Sequence, residues 1–210
     1  MTRLIKYIAE LFGKIISFLI PTQLAEQWQA MLAHIYTGYV KRHFYQWGDN
    51  SVIAFKALRL RGLNHIAIGK NVQISKNVQI TAWPTTNTIN DSPLLIISDG
   101  CIIREGTHIS AANRIIIGKH LLTGTNVLIT DNSHGEIKHE HMDLPFVERP
   151  IISKGTVTIG EHVWLGNNVC VMPGVTIGNG AIIGANSVVT HDVPDYCVAV
   201  GVPAKVVKQL

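Results

Sequence analysis

Apolar residues recur every six positions between Ile159 and Pro194. An aliphatic residue opens each hexad, and a small or aliphatic residue stands at the fifth place. The openers are Ile159, Leu165, Val171, Ile177, Ile183 and Val189, and the fifth places are Val163, Val169, Val175, Ala181, Ser187 and Val193. An amphipathic helix would space its apolar residues by three and four. A period of six indicates short strands that turn a corner after each hexad, so that about eighteen residues close a three-sided coil.

The same repeat predicts coils earlier in the chain. Hexads open at Ile68, Ile74, Ile80, Ile97, Ile103, Ile109, Ile117, Thr123 and Ile129, with a short slip of phase at 115–116. Residues 82–93 and 135–156 break the period and are predicted to be excursions from the stack. A loop of this second length is usually functional or floppy. The pattern therefore predicts one mainly β domain over residues 51–208, with the aliphatic openers filling its inside.

Residues 1–50 have a helical pattern instead. In residues 1–20, Leu4, Ile8, Leu11, Ile15 and Leu19 fall on one helix face, and Arg3, Lys6, Glu10, Lys14 and Ser17 fall on the other. This face would pack on the protein or a neighbouring subunit, or lie on the inner surface of a membrane. The uncharged run 15–25 is too short to span a bilayer, and Glu10 and Lys14 argue against a signal peptide.

A second predicted helix follows Pro21 and ends by the turn at 48–50. Its apolar stripe is interpreted as a packing face rather than a cofactor site. The stripe consists of Leu24, Trp28, Met31, Leu32, Ile35 and Tyr39.

Composition narrows the possible partners. The chain has 18 basic and 14 acidic residues, a net charge of +4, and a pI near 9.0. The basic residues are scattered, which argues against nucleic acid and suits an anionic small ligand. Cys101, Cys170 and Cys197 lack metal-ligand spacing, and their odd number fits a reducing compartment, so we expect a cytoplasmic protein.

His134 is the candidate for chemistry, because it closes a coil at the mouth of the long excursion. An imidazole has an unperturbed pKa close to neutral pH, so a histidine at this position could act as a general base for a hydroxyl. Asp131, Asn132 or a backbone carbonyl could hold the second ring nitrogen.

Four segments together resemble the hexapeptide-repeat acyltransferases, in the branch of sugar O-acetyltransferases similar to galactoside and maltose acetyltransferases. They are Asp131-Asn-Ser-His-Gly135, Val163-Trp-Leu-Gly-Asn167, Gly184-Ala-Asn-Ser187 and Gly201-Val-Pro-Ala-Lys205. The resemblance covers roughly residues 60–208. It implies a left-handed parallel β-helix, an exception to the usual right-handed crossover. It also implies a homotrimer with each coenzyme A groove between two subunits.

The resemblance assigns roles to particular residues. His134 takes the place of the catalytic base, and Asp131 and Asn132 stand beside it as acceptor-binding candidates. The acetyl-CoA candidates are Trp164, Asn167, the N–H of Ala185, Thr190, Pro203, Lys205 and Lys208. His191 stands where many relatives carry lysine, which predicts a weaker phosphate contact.

The expected function is transfer of acetyl from acetyl-CoA to a sugar hydroxyl, with a bacterial surface polysaccharide as the preferred acceptor. The thioester is already reactive, so we expect direct attack in a ternary complex without a metal. Two alternatives remain open. One is a zinc enzyme like the γ-class carbonic anhydrases, with His108, His134 and His139 as ligands; the other is a non-catalytic scaffold.

Overall fold

The computed structural model describes residues 3–19, 22–84, 92–135 and 144–210. Helices α1 (Arg3–Leu19) and α2 (Thr22–Val40) come first. The strands that follow are β1 (Gln46–Trp47), β2 (Val52–Ile53), β3 (Arg59–Arg61), β4 (Ile66–Ile68), β5 (Gln73–Ile74), β6 (Gln79–Ala82), β7 (Leu95–Ile97), β8 (Ile102–Ile103), β9 (His108–Ala111), β10 (Ile115–Ile117), β11 (Leu122–Thr123), β12 (Leu128–Thr130), β13 (Asn132–His134), β14 (Ile151–Ser153), β15 (Val157–Ile159), β16 (Trp164–Leu165), β17 (Cys170–Val171), β18 (Thr176–Ile177), β19 (Ile182–Ile183), β20 (Val188–Val189), β21 (Cys197–Gly201) and β22 (Ala204–Gln209). The predicted mainly β protein with a helical start is confirmed.

Three sheets contain all of these strands except β13 and β14, which pair with each other. The first sheet is β1-β4-β7-β10-β15-β18, the second is β2-β5-β8-β11-β16-β19-β21-β22, and the third is β3-β6-β9-β12-β17-β20. From β1 to β20, apart from β13 and β14, successive strands enter the first, second and third sheet in turn, so one strand from each sheet makes a coil. All pairings in these sheets are parallel except that of β21 with β22. We call the turns between sheets the first-to-second, second-to-third and third-to-first corners.

The strand register measures the repeat and its interruptions. Ile159 pairs with Ile177, eighteen positions later, as three hexads require. Ile97 pairs with Ile117, twenty positions later, which confirms the slip of phase. Ile68 pairs with Ile97, twenty-nine positions later, so the chain between them contains an excursion of eleven residues.

The hexad openers form the core. Every opener from Ile68 to Val189 has at most 3% of its surface exposed. The corner that follows each opener usually puts the fourth residue in the left-handed conformation, as at Asn126, Asn168 and Asn186, with φ between 56° and 60°. Asparagine tolerates this conformation because its short side chain bonds locally. The repeat therefore specifies both the inside of the coils and their corners.

Helix α2 packs on the coils through a face that the sequence did not single out. Thr37 is buried, its hydroxyl accepts the N–H of Ile53 at 3.0 Å, and Val40 is buried beside it. The predicted stripe does not pack on the coils of this chain, except at the half-buried Leu32. The exposed members are Leu24, Trp28, Met31, Ile35 and Tyr39.

Helix α1 presents its side chains to solvent. Each residue from Arg3 to Ser17 is exposed. Within the described part of the chain, neither helix is long and apolar enough to cross a membrane.

Candidate active site

His134 lies on a two-stranded ribbon that leaves the third-to-first corner. Strand β13 pairs antiparallel with β14, and His134 stands opposite Ile151. The imidazole is exposed. Among the residues that the structure describes, no hydrogen bond to this ring is present. The ribbon therefore presents His134 outward at the root of the long excursion.

Gly135 fixes the direction in which the ribbon leaves. Its φ is +74°, and its N–H donates to the carbonyl of Pro150 at 2.9 Å. A Cβ at this position would lie 2.8 Å from Cδ of Arg149. The Arg149 side chain is buried, donates from Nε to the carbonyl of Leu144 at 3.0 Å, and stacks on Phe146 at 4.1 Å. The glycine thus lets Arg149 pack directly under the chain beside His134.

Asp131 is turned into the protein. It is fully buried, and its two carboxylate oxygens accept the backbone N–H groups of Ala112 at 2.8 Å and Asn113 at 2.9 Å. Asn132 donates to Asp131 at 2.9 Å and to the carbonyl of Ser110 at 2.8 Å. These contacts anchor the root of the ribbon on the preceding coil. The acceptor-binding role of both residues stays a prediction, and the geometry favours a structural role for Asp131.

Asn167, one of the predicted acetyl-CoA residues, belongs to a repeated corner contact. The third residue of a hexad often accepts the backbone N–H of the third residue one coil earlier. Asn167 accepts Thr125 at 2.9 Å, Asn179 accepts Glu161 at 2.8 Å, and Asp195 accepts Asn179 at 2.7 Å. The Asn167 side chain therefore links two coils.

Ala185 interrupts this contact at the second-to-third corner. It follows Asn167 by one coil and has no side-chain oxygen. Neither the N–H of Asn167 nor that of Ala185 has an acceptor among the described residues. Gly166 lets the backbone of Ala185 approach, since a Cβ there would lie 2.6 Å from its nitrogen. Two N–H groups without an acceptor, both on exposed residues, are therefore left for a ligand.

Lys205 lies above the same corner. Val200 packs on Gly184, where a Cβ would lie 2.6 Å from Cγ1 of Val200, and Val200 pairs with Lys205 across the β21–β22 hairpin. Lys205 therefore lies farther along the same corner, two strand spacings or about 10 Å beyond Ala185. Pro203 lies in the turn of the same hairpin, and Lys208 pairs with Val198. All three predicted residues are exposed.

The other predicted residues occupy different positions. Trp164 is half exposed on the outer side of the second sheet, between Leu122 and Ile182. Thr190 is exposed just after β20, and its hydroxyl lies 2.8 Å from Nδ1 of His191. His134 and Thr190 thus follow strands of the third sheet, whereas Ala185 precedes one. Within one chain, His134 and the N–H of Ala185 therefore lie at opposite ends of the strands of the third sheet.

A groove that sequence reasoning missed runs along the second-to-third corner between the first coils and α2. Its volume is about 580 Å³. It is lined by Gln29, Leu32, Ala54, Phe55, Lys56, Ser75, Lys76, Arg104, Glu105 and Thr125. The last of these, Thr125, bonds to Asn167, so the groove leads into the Ala185 region. Its signal in the sequence was weak, because the lining residues come from five separate segments.

The predicted zinc set is not brought together among the described residues, where no group of three potential ligands occurs. His108 lies on β9 of the third sheet, and burial, with a contribution from Arg59, lowers its pKa. His139 lies outside the described residues, so the zinc alternative stays untested.

The comparisons first define the class. Residues 156–191 match the family model described as bacterial transferase hexapeptide (six repeats). This match covers the part of the chain where the six-residue repeat is most regular. It confirms the predicted resemblance to the hexapeptide-repeat transferases.

Particular relatives then narrow the branch. WbbJ of Escherichia coli K12, named as a lipopolysaccharide biosynthesis O-acetyl transferase, is 40% identical over 119 residues, which are 55% of this chain and 61% of WbbJ. Galactoside O-acetyltransferase of the same strain is 35% identical over 120 residues, 56% of this chain and 59% of that enzyme. The chain thus spans about three fifths of these relatives.

A solved structure supports the fold. A variant of AntD, an N-acyltransferase from Bacillus cereus, in complex with dTDP and coenzyme A, superposes with a TM-score of 0.66 at 21% identity. The match covers 82% of this chain and 87% of that chain.

Proposed function

We propose that this protein transfers an acetyl group from acetyl-CoA to a hydroxyl of a sugar, with His134 as the general base. The observation that carries the proposal is the pair of uncapped N–H groups at Asn167 and Ala185, with Lys205 about two strand spacings farther along the same corner. The amide-bearing arm of coenzyme A needs such donors, and its phosphates need a cation. The named O-acetyltransferase relatives support the reaction type.

We further propose that the three sheets form the sides of a left-handed parallel β-helix and that three copies assemble. His134 and Ala185 lie at opposite ends of the strands of the third sheet. A site that needs both is therefore completed most simply when a neighbouring copy supplies one of them. Two open apolar surfaces fit such an assembly. They are the exposed α2 stripe and the outer side of the second sheet around Trp164.

The reaction follows from this arrangement. His134 takes the proton of the acceptor hydroxyl while the hydroxyl oxygen attacks the carbonyl carbon of the thioester. A backbone N–H stabilises the negative charge that develops on the carbonyl oxygen of the thioester as the tetrahedral intermediate forms. The carbon–sulfur bond breaks, and the imidazolium returns the proton to the departing thiolate of coenzyme A. The acetylated glycan of a bacterial cell surface is the product we expect.

Turnover and binding together test the function. Release of coenzyme A from acetyl-CoA is measured against a panel of neutral, amino and phosphorylated sugars, and coenzyme A affinity is measured separately. The proposal expects binding and sugar-dependent release. Binding without release would support the scaffold instead, whereas zinc in the purified protein with no coenzyme A binding would support the zinc enzyme.

Mixed oligomers test the shared site. His134→Ala and Ala185→Trp chains, each inactive alone, are denatured together and refolded. If each site combines two subunits, about a quarter of the interfaces regain both intact parts and activity returns. Mixtures as inactive as either parent would overturn the shared site.

A further inference from the structure

The groove at the second-to-third corner carries positive charge that the chain does not neutralise. Glu105 is its acidic lining residue. The Glu105 carboxylate forms an ion pair with Lys76 at 3.8 Å and accepts a hydrogen bond from the side-chain amide of Asn77 at 2.9 Å. The guanidinium of Arg104 has no carboxylate partner among the described residues. Lys56 also lines the groove, with its Nζ 5.9 Å from the centre of the Phe55 ring.

The position of the groove suits an acceptor. The corner runs from Lys205 past Ala185 and Asn167 to Thr125, where the groove begins. A coenzyme A molecule whose phosphates lie at Lys205 would therefore bring its thioester end toward the groove. Gln29 and Leu32 of α2 also line the groove.

We infer that this groove binds a phosphate-bearing sugar acceptor, with Arg104 and Lys56 as the groups that recognise the phosphate. Arginine forms paired, charge-assisted hydrogen bonds with phosphate oxygens. Phe55 offers an apolar surface for the sugar ring. The inference rests on the proposed acetyl transfer and adds the chemical class of its acceptor.

Galactose and galactose 1-phosphate form a matched pair of probes. In Arg104→Gln, kcat/KM for the phosphorylated sugar should fall by about tenfold or more, since a charged hydrogen bond is lost. The neutral sugar should change less than about twofold, and coenzyme A affinity should not change. Arg42→Gln, an exposed arginine beyond α2, is the control and should behave as wild type.

Direct binding separates this inference from the proposed function. Affinity for galactose 1-phosphate is measured by calorimetry without acetyl-CoA, in wild type and Arg104→Gln. Binding that weakens in the variant supports the groove even if transfer fails on every sugar. Equal affinity in both proteins, or equal loss of activity on both sugars, would overturn it.

Helix α1 carries a second, independent inference. Up to Ile16, its large apolar side chains cover one half of the helix circumference, and all of these are exposed to solvent. They are Leu4, Ile5, Tyr7, Ile8, Leu11, Phe12, Ile15 and Ile16. The opposite half contains Arg3, Lys6 and Lys14 against the single acid Glu10.

We infer that α1 lies in the surface of an anionic lipid membrane. Helices with a wide apolar face and a basic polar face bury the apolar side at the boundary between headgroups and acyl chains. Each lysine or arginine near an anionic surface strengthens binding by about fivefold. The excess of cations matches an anionic surface better than a second copy of this basic face.

Vesicle binding tests this inference on the full chain. Wild type should bind phosphatidylcholine vesicles that contain about one quarter phosphatidylglycerol, and bind several-fold less without it. Leu11→Glu places an acid on the apolar face and should weaken binding at least tenfold. Ser17→Glu adds the same charge on the polar face and should weaken vesicle binding only about fivefold.

The two alternatives give different results. Equal loss in Leu11→Glu and Ser17→Glu would overturn insertion of the apolar face. Absence of vesicle binding, with a smaller oligomer for Leu11→Glu in sedimentation, would show that a second copy covers α1.

Discussion

The carboxylate of Asp131 accepts the backbone N–H of Ala112 at 2.8 Å, although the two residues are nineteen positions apart. Both residues are buried. This contact ties the root of the His134 ribbon to the coil before it, and it suggests that the geometry at His134 depends on Asp131 without contact between their side chains.

Asp131→Ala should therefore destabilise the protein and disturb the site. Two backbone N–H groups lose a charged acceptor, and a loss of roughly 2–4 kcal/mol of unfolding free energy is expected. Urea unfolding measures this. Asp192→Ala is the control, because exposed Asp192 also accepts a backbone N–H, from Thr176 at 2.7 Å, and should cost less than about 1 kcal/mol. Equal losses would contradict the structural role of Asp131.

Gly135→Ala should lower kcat at least tenfold, because a Cβ at φ +74° would push against Arg149 and turn His134 away. Coenzyme A affinity should stay within about twofold, since the Ala185 corner is not touched. Gly38→Ala on α2 has free space around it and is the matched control. Unchanged kcat in Gly135→Ala would show that the ribbon does not position His134 for the proposed reaction.

Ala185→Asn should weaken coenzyme A binding without lowering the stability of the protein. An asparagine oxygen here could accept the N–H of Asn167, as Asn167 itself does for Thr125. Coenzyme A affinity is expected to fall about tenfold, while the melting temperature stays equal or rises. Asn179→Ala removes an equivalent corner contact with Glu161 and should lower stability by about 1 kcal/mol without changing affinity. Unaltered affinity in Ala185→Asn would argue against this corner as the binding site.

His108 should make the protein sensitive to acid. Burial, and to a lesser extent Arg59, lowers its pKa below the ordinary value of 6.5, so the folded protein favours the neutral ring. The stabilisation is present above that value and is lost as the pH falls toward the folded-state pKa. His108→Gln should weaken the dependence of unfolding free energy on pH between about pH 7.5 and about pH 5. An unchanged pH dependence in His108→Gln would contradict this role of His108.

The core and the corners could be predicted from the sequence, because both repeat locally. Ile159 and Ile177 fall at the same place of the hexad and pair in adjacent coils. The six-residue period thus contains the register as well as the burial pattern. The same period located both excursions, since each appears as a break in the spacing of Ile68, Ile97 and Ile159.

The environment of each polar residue could not be predicted in the same way. Asp131 has the residue type of an acceptor-binding group, but its burial depends on the coil that contains Ala112. On α2, the face that packs on the coils includes the polar Thr37, so hydrophobicity alone did not identify it. The groove around Arg104 depends on the packing of separate segments and leaves no periodic signal.

The most direct test of acetyl transfer at His134 is the turnover of acetyl-CoA with the best sugar acceptor, in His134→Ala beside the exposed control His34→Ala. Loss of a general base is expected to reduce kcat about 10²–10⁴-fold while coenzyme A affinity is kept. The control should match wild type. Turnover that persists in His134→Ala at the rate of the control would contradict the account.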